Sequence, residues 1–269
     1  MSRPAVLALA LALIAASLAA PARADELPKA TVLNPAAADG VLQPGDVLVK
    51  FLGQEKATKA ELLIQNGQKA IQRVSGHFHK ELKNGDPKAF HLVLYLGKGR
   101  TAEAHGGDLK TARVGTRSLS DHEGYLFQVY RPKDAALAKH AAAVGEAWGS
   151  TRRMHYLVPV GTALHRSNFG AKAQAEALEY GKSAKTPGGP PHVKSMFCSE
   201  FVVATYQAAA VADLLAKNPK LSAKDVHVPH GVDVQASVSS PLAVQSQLET
   251  AVKDGNFIHV GAVLIKPAK

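Results

Sequence analysis

A single cysteine among 269 residues removes the internal disulfide as a source of stability, since a bridge needs two. One tryptophan and an aromatic content of 6 % leave the scattered lysines and arginines without the interleaved rings of a single-stranded nucleic-acid platform. The glycines near Gly107 and at Gly188-Gly189 lack the spacing of a phosphate loop, so no nucleotide site is expected. His77 with His79, and His227 with His230, have no cysteine or acid at metal-ligand spacing, and read as solvated loop histidines. No cofactor and no metal is therefore called for. The chain also lacks an internal repeat, a low-complexity domain and, beyond its first twenty residues, any long apolar run.

The chain opens with Arg3, the apolar run Ala5 to Ala20, and Ala22-Arg23-Ala24 ahead of the first acids, Asp25 and Glu26. This order of a basic start, a short apolar core and an A-x-A site reads as a secretory signal peptide over residues 1–24, cut after Ala24. The run is shorter than the ~20 residues that span a bilayer. The expected product is a secreted or periplasmic protein, residues 25–269, of a size that suits one domain with a substantial core. A formal net charge of +10, two units of it from Arg3 and Arg23, favours anionic surroundings such as the cell envelope. Export argues against a nucleic-acid partner.

The lone cysteine, Cys198, lies in Lys194-Ser-Met-Phe-Cys-Ser-Glu-Phe-Val-Val203. The apolar spacing after Phe197 predicts a mostly buried helix with Cys198 in its first turn. There the unpaired N–H groups and the positive end of the helix dipole favour the thiolate. The alternative for any free cysteine is a small buried hydrophobe. Glu200 in the same turn reads as an acid that complements the dipole.

Around this helix the pattern predicts strands at Val47 to Phe51, Tyr125 to Tyr130, Tyr156 to Val160 and Phe257 to Ile265. It predicts helices within Lys56 to Val74, from Asp134 to Trp148, around Ala171 to Tyr180, and from Ser240 to Val252 with Pro241 in its first turn. Residues 25–40 read as an extended lead-in, and Asp108 to Asp121 as irregular. The clearest unit is a hairpin from Phe90 to Gly107 around Gly97-Lys98-Gly99. A three-residue loop pairs Leu94 with Ala102 and Leu92 with Ala104 on one apolar face. The other face then holds His91, Val93 and Tyr95 with His105, Glu103 and Thr101, so that His91 is opposite His105 and diagonal to Glu103. A two-residue loop would set Glu103 among leucines, at the cost of burying a carboxylate in apolar surroundings.

Thiol catalysis needs a thiolate-favouring position, an imidazole to move the proton and a third group to orient that imidazole. Cys198, His91 and Glu103 supply these types, with His105 as a competing orienting group and backbone N–H groups of the cysteine helix available for an oxyanion. Tyr95 and His105 are candidate substrate contacts, packing being the alternative for Tyr95.

The ordered set Pro44-Gly-Asp-Val-Leu48, Phe90-His-Leu-Val-Leu-Tyr-Leu-Gly97, Ala102-Glu-Ala104, Phe197-Cys-Ser-Glu-Phe-Val202 and Ser240-Pro-Leu242 resembles the permuted papain-like hydrolases of the NlpC superfamily, in particular the YiiX/YaeF-like branch. As in the permuted members, the histidine strand precedes the cysteine helix. The resemblance implies a circularly permuted α+β fold, with an antiparallel sheet packed against helices that include the cysteine helix. It also implies Cys198 as nucleophile, His91 as general base and then acid, and Glu103 in the polar third position. The expected activity is a cysteine amidase, peptidase or esterase acting on cell-wall peptides or lipid-derived amides and esters. An acyltransferase, or a module that binds lipid or peptidoglycan fragments without chemistry, would carry the same pattern.

Overall fold

In this computed structural model the described residues are 30–51, 86, 88–105, 113–151, 154–156 and 168–266. The expected helices within Lys56 to Val74, together with His77 and His79, lie outside them. The hairpin expected around Lys98 is the centre of the sheet. It consists of β3 (Ala89–Gly97) and β4 (Arg100–His105), flanked by β2 (Val47–Phe51) and β5 (Arg113–Ser118). The other strands are β1 (Ala30–Leu33), β6 (Leu126–Pro132), β9 (Phe257–Ile265) and the two-residue strands β7 (His155–Tyr156) and β8 (Ser195–Met196). Their order across the sheet is β1-β9-β6-β2-β3-β4-β5-β7-β8. Pairing is antiparallel except for β1 with β9 and β7 with β8.

Four helices complete the described residues: α1 (Ala135–Gly149), α2 (Ala171–Lys182), α3 (Cys198–Lys217) and α4 (Pro241–Lys253). Their starts follow from local chemistry. The Asp134 carboxylate accepts the N–H groups of Ala136 and Leu137, and the Ser240 hydroxyl accepts that of Ala243, with Pro241 in the first turn. No helix among the described residues is long and apolar enough to cross a membrane.

Alternation along the strands builds two cores. Val47, Val49, Leu92, Leu94, Ala102 and Ala104 join Val144, Trp148, Phe201, Tyr206 and Leu248 in the large helix-side core. Leu48, Val93, Tyr95, Phe127 and Val129 face the opposite way and are covered by Leu33, Ala38, Leu42 and Leu119. The lead-in is thus not simply extended, as the sequence suggested. It contains β1 and a tight helical turn, Pro35–Gly40, because its few apolar side chains have a sheet face to cover.

Pro44-Gly45-Asp46 ties this layer to the helices. Gly45 has φ 94°, and a Cβ there would come within 2.2 Å of the Ala138 carbonyl oxygen, so only glycine fits. Its own carbonyl accepts the hydroxyl of Tyr206 in α3. Asp46 accepts Arg131 Nε at 2.8 Å and Nη2 at 2.7 Å in a two-pronged bond. Gly145 serves the same end in α1, since a Cβ would meet the Leu94 side chain at 2.6 Å.

Two further expectations are corrected. Asp108 to Asp121 is not irregular throughout: Arg113–Ser118 forms β5 and Leu119–His122 a single tight helical turn. β5 has little apolar alternation of its own, and its pairing with all six residues of β4 supplies the order. The hairpin turn is two residues, Lys98 and Gly99, with Gly97 facing Arg100 and an irregularity at Leu96. That irregularity restores the expected register, Tyr95 with Thr101 and Leu94 with Ala102, so Glu103 stays off the leucine face.

Candidate active site

The registered pairing of β3 with β4 ends at Leu94 and Ala102. β4 continues against β5, with Glu103 facing Gly115 and His105 facing Arg113. The expected facing of His91 with His105 is therefore not a ladder pair. Where that ladder stops, the first turn of α3 meets the strand, and the backbone N–H groups of Leu92 and Ser199 lie close enough to the Cys198 sulfur to favour its thiolate.

His91 lies between Cys198 and Glu103. Its Nε2 contacts Glu103 Oε2, which leaves Nδ1 as the nitrogen available to Cys198, and His91 and Cys198 favour each other's charged forms. The side chains are enclosed: Cys198 is 1 % exposed, Glu103 0 % and His91 9 %. Burial pushes the Cys198 thiol up, but the His91 imidazolium and the two N–H groups outweigh it and hold the thiol below its usual value. Burial likewise works against the His91 imidazolium, and Cys198 and then Glu103 overcome it, raising His91 to about 9. For Glu103, burial is outweighed by His122 and His91, so its carboxyl is held well below the usual range. The three shifts share one direction: each favours the charged form, thiolate, imidazolium and carboxylate in sequence, with the proton drawn toward His91.

Other residues surround this line. Arg117 Nη1 in β5 stands 3.7 Å from Glu103 Oε1, and His122 Nε2 stands 3.4 Å from the same oxygen. Lys50, beside His91 in the β2 and β3 register, extends its ammonium over the Tyr125 ring. His122 was not picked out by sequence reasoning. A single histidine in a polar stretch carries no burial signal of its own, and only the sheet face behind Leu119 encloses it.

The structure brings Cys198, His91 and Glu103 together and separates Tyr95 from them. Tyr95 is fully buried; its hydroxyl donates to Asp39 at 2.6 Å and accepts the Gly99 N–H at 3.0 Å. Of the two roles open to it, this burial supports packing: the small core beneath the Pro35–Gly40 turn closes over the ring. His105 is half-buried at the end of β4 and makes no hydrogen bond to His91. Burial, opposed by Glu103, lowers its pKa. His227 approaches the Asp225 carbonyl, and His230 pairs with Asp254 at 2.8 Å. No group of three or more histidines, cysteines or acids suited to a metal ion occurs among the described residues.

Glu200 also differs from expectation. Burial, with Glu176 adding to it, raises its carboxyl to about 8 against the N–H of Phe197 and the hydroxyl of Tyr180. Burial thus favours the protonated, hydrogen-bonding carboxyl over an anion at the helix dipole.

Comparison with protein-family models, curated proteins and solved structures finds no match to this chain. What the fold defines is a mixed α+β protein with its sheet packed against helices, the cysteine helix among them.

Proposed function

We propose that this chain is a cysteine hydrolase with a circularly permuted papain-like fold, exported by its leader, that cleaves amides or esters of cell-envelope peptides or lipids. The observation that carries the reading is His91, held by Glu103 at one nitrogen, with Cys198 beside it and the Cys198 thiol lowered by its charge. The positive formal charge suits an anionic envelope; no nucleic acid and no cofactor enters.

The Cys198 thiolate attacks the carbonyl carbon. As the C–S bond forms, the carbonyl electron pair moves to oxygen, where N–H groups at the start of α3 receive it. Collapse of that intermediate breaks the bond to the leaving amine or alkoxide, which takes the proton from His91. Neutral His91 then removes a proton from water, the hydroxide attacks the thioester, and Cys198 leaves as thiolate while the acid is released. Glu103 fixes Nε2–H of His91 throughout, so Nδ1 handles the proton.

Acyl capture tests this reading. Brief exposure of the protein to an activated acyl ester, followed by mass spectrometry, should find the acyl group on the peptide that carries Cys198. Cys198→Ala should show none, and His91→Ala should acylate at least a hundredfold more slowly. Unlabelled native Cys198 would instead indicate a binding module.

A further inference from the structure

The line from Cys198 through His91 does not end at Glu103. Oε1 of Glu103, the oxygen not engaged by His91, is enclosed and makes no hydrogen bond, and the same is true of His122 Nε2. These two bare atoms stand 3.4 Å apart. A buried donor or acceptor left unmade costs about 1–3 kcal/mol, and a slight rotation of either side chain pairs them. Bonds in an active site are often loose without substrate and tighten when it binds.

Arg117 is the other cation near Oε1, but at 3.7 Å it is farther away, and its Nε donates to Asp121 at 3.0 Å. His122 is better held. Its ring meets Phe127 edge to face at 5.6 Å between centroids, and its helical turn is capped by the Ser118 hydroxyl accepting the Ser120 N–H. Burial, only partly offset by Glu103, lowers His122 to about 4, so near neutral pH it supplies an N–H without adding a charge.

We propose that His122 is a positioning residue: its Nε2–H holds Oε1 of Glu103, and so keeps Oε2 turned to His91 and the imidazolium in place beside Cys198. This rests on the cysteine-hydrolase reading above. The charged and titratable groups around His91 are Lys50 from β2, Glu103 and His105 from β4, Arg117 from β5, His122 from the turn after it and Cys198 from α3. Of these, only His122 and Arg117 face the far oxygen of Glu103 at 3.7 Å or less.

The test compares alkylation of Cys198 by iodoacetate and by iodoacetamide across pH. The His91 imidazolium attracts the anionic reagent and not the neutral one, so the ratio of the two rates falls where His91 loses its proton. His122→Phe keeps a ring against Phe127 and removes the donor, whereas His122→Gln returns an N–H near the Nε2 position. The expected midpoint lies about half a unit to one unit lower in His122→Phe and close to native in His122→Gln. In a Glu103→Gln background, His122→Phe should add no further shift. An unmoved midpoint in folded His122→Phe, or a further shift in the Glu103→Gln background, overturns the proposal. If His122→Phe does not fold, His122→Asn, whose amide is too short to reach Oε1, replaces it with the same expectations. If the native thiol behaves as an ordinary thiol at pH 6, the hydrolase reading fails and this one with it. If native Cys198 reacts fast and only the His122 variants leave the midpoint unchanged, the positioning role alone fails.

Discussion

Replacing Glu103 by glutamine preserves its size and one acceptor oxygen while deleting the charge beside His91. In the native site His91 is raised from 6.5 to about 9, a preference for the imidazolium of about 3 kcal/mol. Burial opposes that preference, and Cys198 and Glu103 together create it, Cys198 being the larger. A buried carboxylate in direct contact is worth a shift of about 1–3 units; as the smaller of two contributors, Glu103 should account for about 1 unit. A raised histidine keeps its proton below its folded pKa and loses it as pH rises through that value. Glu103→Gln should therefore lose the imidazolium near pH 8, where the native protein still retains it. The ratio of iodoacetate to iodoacetamide alkylation, followed from about pH 5 to pH 10, reads that midpoint directly. Far-UV circular dichroism establishes that the variant is folded. A folded Glu103→Gln protein with a native midpoint would refute the reasoning, because Glu103 would then contribute nothing to holding the proton on His91.

Two further predictions concern stability. Glu200 is raised in the folded state to about 8, so the folded protein binds a proton that the unfolded chain releases above its ordinary carboxylate value. Its contribution to stability therefore falls as pH rises from about 4.5 to about 8. Glu200→Gln should abolish that decline, a difference of about 3 kcal/mol between pH 5 and pH 8; urea melts at both pH values measure it, and an unchanged difference would count against the burial of an ionisable Glu200. Gly45→Ala should cost about 3 kcal/mol or more, since the new Cβ meets backbone at 2.2 Å and the residue must keep φ 94°. Chemical denaturation checks it, and a loss below about 1 kcal/mol would mean that the turn can move away from α1.

Much of this arrangement is legible in the residues, and where it is not the reason is physical. The strands β2, β6 and β9 and the helices α1 and α4 carry their own apolar periodicity and caps, such as Asp134 and Ser240, so local chemistry suffices to find them. The shared face of His91 and Glu103 follows from the requirement that the leucines of β3 stay together, which fixes register even though the turn itself is two residues rather than three. β5 is different, because Arg113, Thr116, Arg117 and Ser118 show no buried face until β4 pairs with them. His122 and the proton on Glu200 depend on enclosure by distant segments. Tyr95 shares the parity of His91 but lies under the Pro35–Gly40 turn, and alternation alone does not separate these two ends of one face.

The central claim is that Cys198 rests as a thiolate paired with the His91 imidazolium, ready to form an acyl bond. Its most direct test is the rate at which iodoacetamide labels Cys198 at pH 6, native protein against His91→Ala, with the site of labelling confirmed by mass spectrometry. At that pH an ordinary thiol with a pKa near 8.5 is less than about 1 % thiolate. On this account the native protein should react about a hundredfold faster than His91→Ala, because the ion pair with His91 would hold Cys198 as thiolate at that pH. Equal rates in two folded proteins would contradict the account and return Cys198 to the role of a small buried side chain.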